Sequence, residues 1–140
     1  RDDGWELASH SWGHRNYGKI PFAELETDNQ KWQDYVGKLI GGTDILIFPF
    51  GADVGDWHPY KDDNERFQYL YKSGFRYFNV DSNQYFVQKG TDYLRQGRRN
   101  LDGYRLWQDM TVKNHTSDLF NASDIFDKDR PTPVPDYKGG

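Results

Sequence analysis

Apolar residues recur at helical spacing through residues 22–40, which is the longest regular pattern in the chain. The apolar positions of this segment are Phe22, Leu25, Trp32, Val36, Leu39 and Ile40. A period close to that of the α-helix predicts an amphipathic helix. Pro21 fits its first turn, and Gly41-Gly42 is a typical stop. We therefore expect one long helix over residues 22–40.

A second, shorter helix is predicted before Gly74, which is a typical helix-ending residue. Its apolar face consists of Phe67, Leu70 and Tyr71. Either Asp62 or Asp63 can cap its first turn, because an aspartate side chain accepts hydrogen bonds from the free backbone N–H groups there.

Three short segments predict strands. They are residues 5–9, the continuous apolar run 45–48, and residues 75–80. A continuous apolar run is typical of a strand that is buried on both faces. The resulting order of strand, helix, strand, helix, strand favours an α/β fold with a parallel sheet or barrel.

The pattern is weaker after residue 81. Residues 84–88 and 104–107 are predicted as strands, and residues 118–126 as a short helix. The sequence R-P-T-P-V-P near the end fits neither a helix nor a central strand, so residues 129–140 are predicted to be an extended proline-rich tail. Residues 1–128 are then expected to form part of a single domain.

Composition limits the function classes. Aromatic residues make up 17% of the chain against 35% for all hydrophobic residues, so aromatic rings must supply much of the core. The net charge of -4 argues against a nucleic-acid partner, since only Arg95, Arg98 and Arg99 form a basic cluster. The chain has no cysteine, which excludes disulfides and thiolate metal sites. No apolar run approaches the length of a membrane span.

His10 and His14 are candidate metal ligands. A spacing of four residues places both imidazoles on one face of a helical turn, where they can bind one ion. Imidazole suits zinc, cobalt, nickel or iron, and zinc proteases of the H-E-x-x-H type are excluded because Ser11 follows the first histidine. The alternative is a pair of histidines on a surface turn.

The segment H-S-W-G-H at residues 10–14, preceded by a short strand, resembles the second motif of the polysaccharide deacetylases of the NodB-homology family. The resemblance implies part of a distorted (β/α) barrel in which His10 and His14 bind a catalytic divalent ion, with zinc expected. The family's first motif, T-F-D-D-G-like, supplies the third ligand and the catalytic base and has no counterpart here. We therefore interpret the chain as the C-terminal part of the domain, with an upstream N-terminal part of the same protein as its partner.

The segment F-P-F-G at residues 48–51 resembles the family's third motif. By that resemblance, Pro49, Phe50 and Gly51 form one wall of a substrate groove, although Ile47 stands where many members have an arginine. A plain turn after a strand, with a core phenylalanine, is the alternative.

Three further groups are candidate site residues. Asp81 follows a predicted strand and resembles the family's fourth motif, which implies a catalytic role; a turn-forming aspartate is the alternative. Arg98 and Arg99 can bind sugar hydroxyls, or an Arg–Asp pair can tie the loop to the barrel. Trp12, within the histidine motif, is expected to stack on a sugar ring.

The resemblance implies metal-dependent hydrolysis of N- or O-acetyl groups on an acetylated polysaccharide of a bacterial cell wall or exopolysaccharide. It also implies an extracellular or cell-surface location. Two alternatives stay open: a non-catalytic carbohydrate-binding domain, favoured by the aromatic content, and a degenerate family member retained for interaction, suggested by Ile47.

Overall fold

The computed structural model describes residues 2–82, 86–111, 116 and 118–125. The chain forms two compact units, Arg1–Arg99 and Asn100–Gly140. The predicted boundary after residue 128 and the predicted tail 129–140 lie outside the described residues. Within the described ranges, no helix is long and apolar enough to cross a membrane.

The first unit contains a four-stranded mixed sheet with the strand order β1-β2-β4-β3. The strands are β1 (Ile45–Ile47), β2 (Tyr77–Asp81), β3 (Val87–Lys89) and β4 (Leu94–Arg98). β1, β2 and β4 run parallel, whereas β3 pairs antiparallel with β4. The α/β class is confirmed, but the expectation of a purely parallel sheet is wrong. The turn between β3 and β4 is too short for the crossover that parallel neighbours require.

Residues 22–40 form one continuous helix, as the apolar spacing predicts. It consists of α1 (Phe22–Trp32), a π-helical turn (Gln33–Gly37) and a final turn, α2 (Lys38–Ile40). Gly41 ends it at φ 78°, in the left-handed region. Glycine adopts this conformation without the steric cost of a Cβ atom, which explains the stop at this position.

The second predicted helix is α3 (Glu65–Lys72). Its cap is Asn64, whose side-chain oxygen accepts a hydrogen bond from the backbone N–H of Phe67 at 2.9 Å. The prediction of Asp62 or Asp63 as the cap is therefore wrong by one or two residues. Asparagine is an equally good N-cap, so local preference does not separate the three candidates.

The hydrophobic core lies between one face of the sheet and helices α1 and α3. Its members are Tyr17, Leu25, Leu46, Phe48, Val54, Tyr60, Phe67, Leu70, Phe75, Phe78 and Val80. Aromatic rings dominate the centre: the Tyr60 and Phe67 rings stack with centroids 4.6 Å apart, and Phe67 meets Phe78 edge to face at 5.5 Å. These contacts agree with the expectation that aromatic burial replaces aliphatic burial in this chain.

The opposite face of the sheet lines a groove of about 610 Å³. The residues lining it are Glu6, Ala8, Asp44, Ile45, Ile47, Tyr77, Asn79, Gln96 and Arg98. We call this surface the open face. The prediction that β1 is buried on both sides is therefore wrong within the described part of the first unit, where only Leu46 of that strand is fully buried.

The second unit contains α4 (Gly103–Thr111) and α5 (Ala122–Ile125). The prediction of a strand over residues 104–107 is wrong. Tyr104 and Trp107 lie three residues apart and stack on one helix face at 5.9 Å, and Asp102 caps the helix by accepting the backbone N–H of Arg105 at 2.8 Å.

Two remaining predictions are met in part. The strand expected over residues 84–88 corresponds to β3, which spans Val87–Lys89. Positions 84 and 85 of that prediction lie outside the described residues. The helix expected over residues 118–126 is described at Ala122–Ile125.

Candidate functional site

The histidine motif follows the only point at which the N-terminal segment pairs with a described strand. Ser9 forms a parallel bridge to Leu46, in which the Ser9 N–H donates to the Ile45 carbonyl at 2.9 Å and the Ile47 N–H donates to the Ser9 carbonyl at 2.8 Å. The other positions of the predicted strand 5–9 form no strand, so that prediction is wrong apart from this bridge. The bridge delivers the following residues to the carboxyl end of β1.

His10 and His14 are brought together by a loop and not by a helical turn. Ser11 and His14 have φ values of 65° and 50°, in the left-handed region that is unfavourable for residues other than glycine. The two imidazole centroids nevertheless lie 5.0 Å apart, edge to face. The expected proximity is present, but the helical geometry from which it was predicted is wrong.

Asp28 of α1 holds this loop in place. Its carboxylate accepts hydrogen bonds from the backbone N–H of Trp12 at 2.9 Å, the backbone N–H of Gly13 at 2.8 Å and the Tyr17 hydroxyl at 2.8 Å. A Cβ atom at Gly13 would lie 2.9 Å from the carboxylate, so only glycine allows this approach. Three donors on one nearly buried carboxylate can hold the loop in its strained conformation.

The anchoring role of Asp28 is missing from the sequence predictions, although a signal exists. Asp28 lies between Leu25 and Trp32 on the face of α1 that is buried, where the pattern otherwise places apolar side chains. A buried carboxylate requires hydrogen-bond donors. A charged residue at a core position of an amphipathic helix is therefore a sign that a loop or ligand binds there.

The ring of His10 has a defined proton position. Its Nδ1 atom lies 2.8 Å from the Ile47 carbonyl oxygen. A carbonyl can only accept, so Nδ1 is the atom that carries the proton in the neutral tautomer, and Nε2 is then the atom with the lone pair. This arrangement is common in histidines that bind metals. His10 therefore fits a divalent ion as a ligand through Nε2, with His14 beside it. Within the described ranges, no group of three His, Cys, Asp or Glu side chains that could hold a metal ion occurs.

The turn after β1 places Phe50 against the histidine loop. The His14 and Phe50 rings lie 4.5 Å apart, and Phe50 is 68% exposed. Phe50 has φ 59° within the 3-10 turn Pro49–Gly51, of which Pro49 is buried. Phe48 fills the core, as the alternative of a plain turn with a core phenylalanine also expects, whereas Phe50 points to the surface beside His14.

Gly51 brings the end of β2 to the same place. A Cβ atom at Gly51 would lie 2.9 Å from the Cβ of Asp81, so the turn and the strand end approach as closely as only glycine permits. Phe50 and Asp81 therefore lie at the same end of the sheet as the histidines, the carboxyl end of the parallel strands. Arg98 of β4 lies opposite Asp81 of β2 in the strand register, so Arg98 is one strand farther from β1 than Asp81 is. Arg99 is the next residue after Arg98.

The strand register shows which side chains share the open face. Leu46 and Ser9 are paired and buried, so their neighbours Ala8 and Ile47 lie on the open face, where both line the groove. By the same alternation, Asp81 and Arg98 are on the open-face side of β2 and β4, because Phe78, Val80 and Arg95 face the core. Asp81 and Arg98 therefore lie on the open face, at the end of the sheet where the histidine loop is located.

Arg95 of the predicted basic cluster is not a surface residue. It forms an ion pair with Asp53 in which both side chains are almost completely buried, and its guanidinium lies 4.7 Å from the centre of the Tyr60 ring. The Tyr60 hydroxyl donates to the other Asp53 oxygen at 2.6 Å, and burial followed by the Asp53 charge raises the pKa of Tyr60. This network fixes the loop that carries His58, whose side chain is exposed.

Tyr17 gives a test of the Asp28 anchor. Burial, reinforced by the Asp28 carboxylate, raises the pKa of Tyr17 above its ordinary value of about 10. The folded state therefore retains the phenolic proton more tightly than the unfolded chain, and this stabilisation is complete below about pH 10 and lost as the pH rises further. We expect Tyr17→Phe to be less stable than wild type at pH 7 by about 1.5–3 kcal/mol, the usual worth of a hydrogen bond to a charged group.

The stability difference between wild type and Tyr17→Phe should shrink above about pH 10, because only the wild-type unfolded chain gains from ionising residue 17. Urea unfolding at pH 7, 9 and 10.5 measures it. A difference that stays constant across this series would show that the pKa of Tyr17 is not raised in the folded state, which would contradict a buried hydroxyl bound to Asp28.

No protein-family model, curated protein or solved structure matches this chain.

Proposed function

We propose that this chain contributes the metal-binding histidines and part of the substrate groove of a hydrolase that removes N- or O-acetyl groups from a polysaccharide. The observation that carries the proposal is the geometry of the His10–His14 loop. It is strained, anchored by Asp28, and oriented so that His10 Nε2 is free, at the carboxyl end of parallel strands beside Phe50. Strain that is held by surrounding contacts is characteristic of functional sites.

The residues present suit such chemistry. A divalent ion, with zinc preferred over cobalt, nickel or iron, supplies when bound a Lewis acid for an acetyl carbonyl and a more acidic water. His10 and His14 would hold it. The carboxylate of Asp81 would orient a histidine or contact the substrate, Phe50 would cover the apolar side of the acetyl group, and Arg98 with Arg99 would bind sugar hydroxyls.

The third metal ligand and the catalytic base would come from a segment upstream of Arg1 in the same polypeptide. The resemblance implies that this segment carries the T-F-D-D-G-like motif on an earlier strand. The open face supports this assignment, because it combines apolar Ile45, Ile47 and Tyr77 with polar Asn79 on a sheet face that a (β/α) barrel would enclose. An extracellular or cell-surface location is part of the same proposal.

Acetate release tests the function. With zinc present, the 140-residue chain together with its upstream segment is expected to release acetate from an acetylated chito-oligomer or from acetylated xylan. The chain alone should release none, because removing an essential catalytic group typically costs orders of magnitude in rate. Zinc-dependent turnover by the isolated chain would show that the upstream segment does not supply the base.

Zinc calorimetry separates the hydrolase from its main rival. A non-catalytic carbohydrate-binding domain is favoured by the exposed rings of Trp12 and Phe50, but it needs no metal. We expect weak zinc binding by the chain that is abolished in both His10→Ala and His14→Ala, with His58→Ala as the matched control. Equal affinity in wild type and both variants would favour the binding domain or a degenerate family member.

A further inference from the structure

We propose that Trp12, Tyr35 and Lys31 form a subsite that binds one pyranose ring of a β-linked glycan on the helix side of the histidine loop. The proposal rests on the proposed function in one respect, since it takes the ligand to be the polymer whose acetyl groups are removed. The subsite is an additional sugar-binding position, separate from the residues proposed to hold the metal ion and the acetyl group. The subsite comprises the aromatic pair and the adjacent groove on α1.

The aromatic pair is the first observation. The rings of Trp12 and Tyr35 lie with centroids 5.2 Å apart at an angle of 37°. Trp12 is 47% exposed and Tyr35 is 67% exposed, so a large part of each residue is open to solvent. The indole is not required to close the histidine loop, because the backbone N–H of Trp12 already binds Asp28. The exposed rings therefore remain available to a ligand.

The groove beside the pair is the second observation. It has a volume of about 300 Å³ and is lined by Trp12, Gly13, Arg15, Glu24, Thr27, Asp28 and Lys31. This volume lies at the lower end of the range for small-molecule sites, about 300–1,000 Å³. Arg15 is paired with Glu24 at 2.5 Å, whereas the Lys31 side chain forms no hydrogen bond or ion pair with the described residues. Its ammonium group is free to donate to a ligand.

The backbone under Tyr35 is the third observation. Tyr35 belongs to the π-helical turn Gln33–Gly37, and such turns are rare and frequently occur at functional sites. The turn ends at Gly37, which is buried and has ordinary helical backbone angles. The irregular turn therefore carries the exposed Tyr35 ring that packs against Trp12.

The chemistry of these groups selects the ligand. A β-linked pyranose has a flat face of C–H groups that packs on an aromatic ring, and a rim of hydroxyls that accept hydrogen bonds from an ammonium group. An apolar protein segment could pack on the two rings, but it would offer no hydrogen-bond partner to Lys31 or to the Arg15–Glu24 pair beside them. The groove is therefore better matched to a sugar than to a hydrophobic peptide.

The test is a titration of the 140-residue chain with chitotetraose and xylotetraose in EDTA, followed by tryptophan fluorescence and ligand-observed NMR. EDTA removes any metal, so the result is independent of the histidines. We expect binding by wild type, a loss of about tenfold in affinity in Trp12→Ala and Tyr35→Ala, and a smaller loss in Lys31→Ala. Tyr35→Phe should retain the wild-type affinity because the ring is kept.

Trp5→Ala is the matched control, because Trp5 is 74% exposed and makes no ring contact with the described residues. Circular dichroism checks that each variant folds. The proposal is overturned if neither oligosaccharide binds, or if Tyr35→Ala and Trp12→Ala bind as tightly as Trp5→Ala. Zinc binding by the histidines with no glycan binding in EDTA would reject this subsite alone. Glycan binding without any zinc affinity would reject the metal site alone.

Discussion

Replacing Asp53 with alanine is expected to lower the free energy of unfolding by about 3–5 kcal/mol, the usual cost of removing one partner from a buried ion pair. The Asp53 and Arg95 side chains are only 1% and 3% exposed. The substitution leaves the Arg95 guanidinium buried without a counter-charge and removes the acceptor of the Tyr60 hydroxyl. The penalty is therefore that of an uncompensated charge and not simply that of one lost contact.

Urea unfolding at pH 7 measures this effect, and Arg15→Ala is the control. Arg15 pairs with Glu24 at the surface, where both side chains are about half exposed, at 49% and 50%. An exposed pair of this kind contributes at most about 1 kcal/mol because water screens it. If Asp53→Ala and Arg15→Ala destabilise the chain equally, the buried ion pair is not formed in solution.

The parts of the fold that the sequence predicts are those with a long or simple pattern. The helix over residues 22–40 has enough apolar positions to define its period, and Gly41 marks its end. β4 was not predicted at all, because its buried residue is Arg95 and the strand has no apolar alternation to detect. The strand assigned to residues 104–107 is wrong because a run of four residues is too short to separate a strand period from a helix period.

The candidate site shows a different limit. The pairing of His10 with His14 follows from their spacing, yet the spacing suggested a helix where the chain forms a loop with Ser11 in the left-handed region. A helical turn is stabilised by local contacts that a sequence pattern can indicate. This loop is stabilised by Asp28, which is distant in sequence and lies in a different element. Single-sequence patterns carry little information on such long-range hydrogen bonds.

The histidine loop contacts two different elements, one on each side. On one side, His10 is bound to the end of β1 through the Ile47 carbonyl, and His14 contacts Phe50. On the other side, the backbone N–H groups of Trp12 and Gly13 are bound to α1 through Asp28. Because both surfaces belong to one short segment, a change in the α1 anchor should alter the positions of both imidazoles.

Asp28→Ala is accordingly expected to weaken zinc binding by about 10–100-fold, the usual effect of removing a group that positions metal ligands. It removes the acceptor from three donors, of which the buried Tyr17 hydroxyl would be left unsatisfied at a cost of about 1–3 kcal/mol. Without that acceptor, Ser11 and His14 can relax from their left-handed conformations, and the imidazoles separate. NMR titration of the histidine rings with zinc measures the affinity directly.

Asp28→Asn should have an intermediate effect, because asparagine keeps one acceptor oxygen but replaces the other with an amide donor. Asp34→Ala is the matched control, since Asp34 lies on the same helix and its carboxylate interacts at the surface, with Lys38 at 2.7 Å and with the Gln30 side-chain amide, which donates to it at 3.0 Å. Its loss should leave both the stability and the zinc affinity close to those of wild type, because water screens exposed pairs of this kind. The same zinc affinity in Asp28→Ala and Asp34→Ala would contradict this prediction. It would mean that His10 and His14 bind zinc whether or not Asp28 anchors the loop, so the left-handed conformations of Ser11 and His14 would not be needed to form the site.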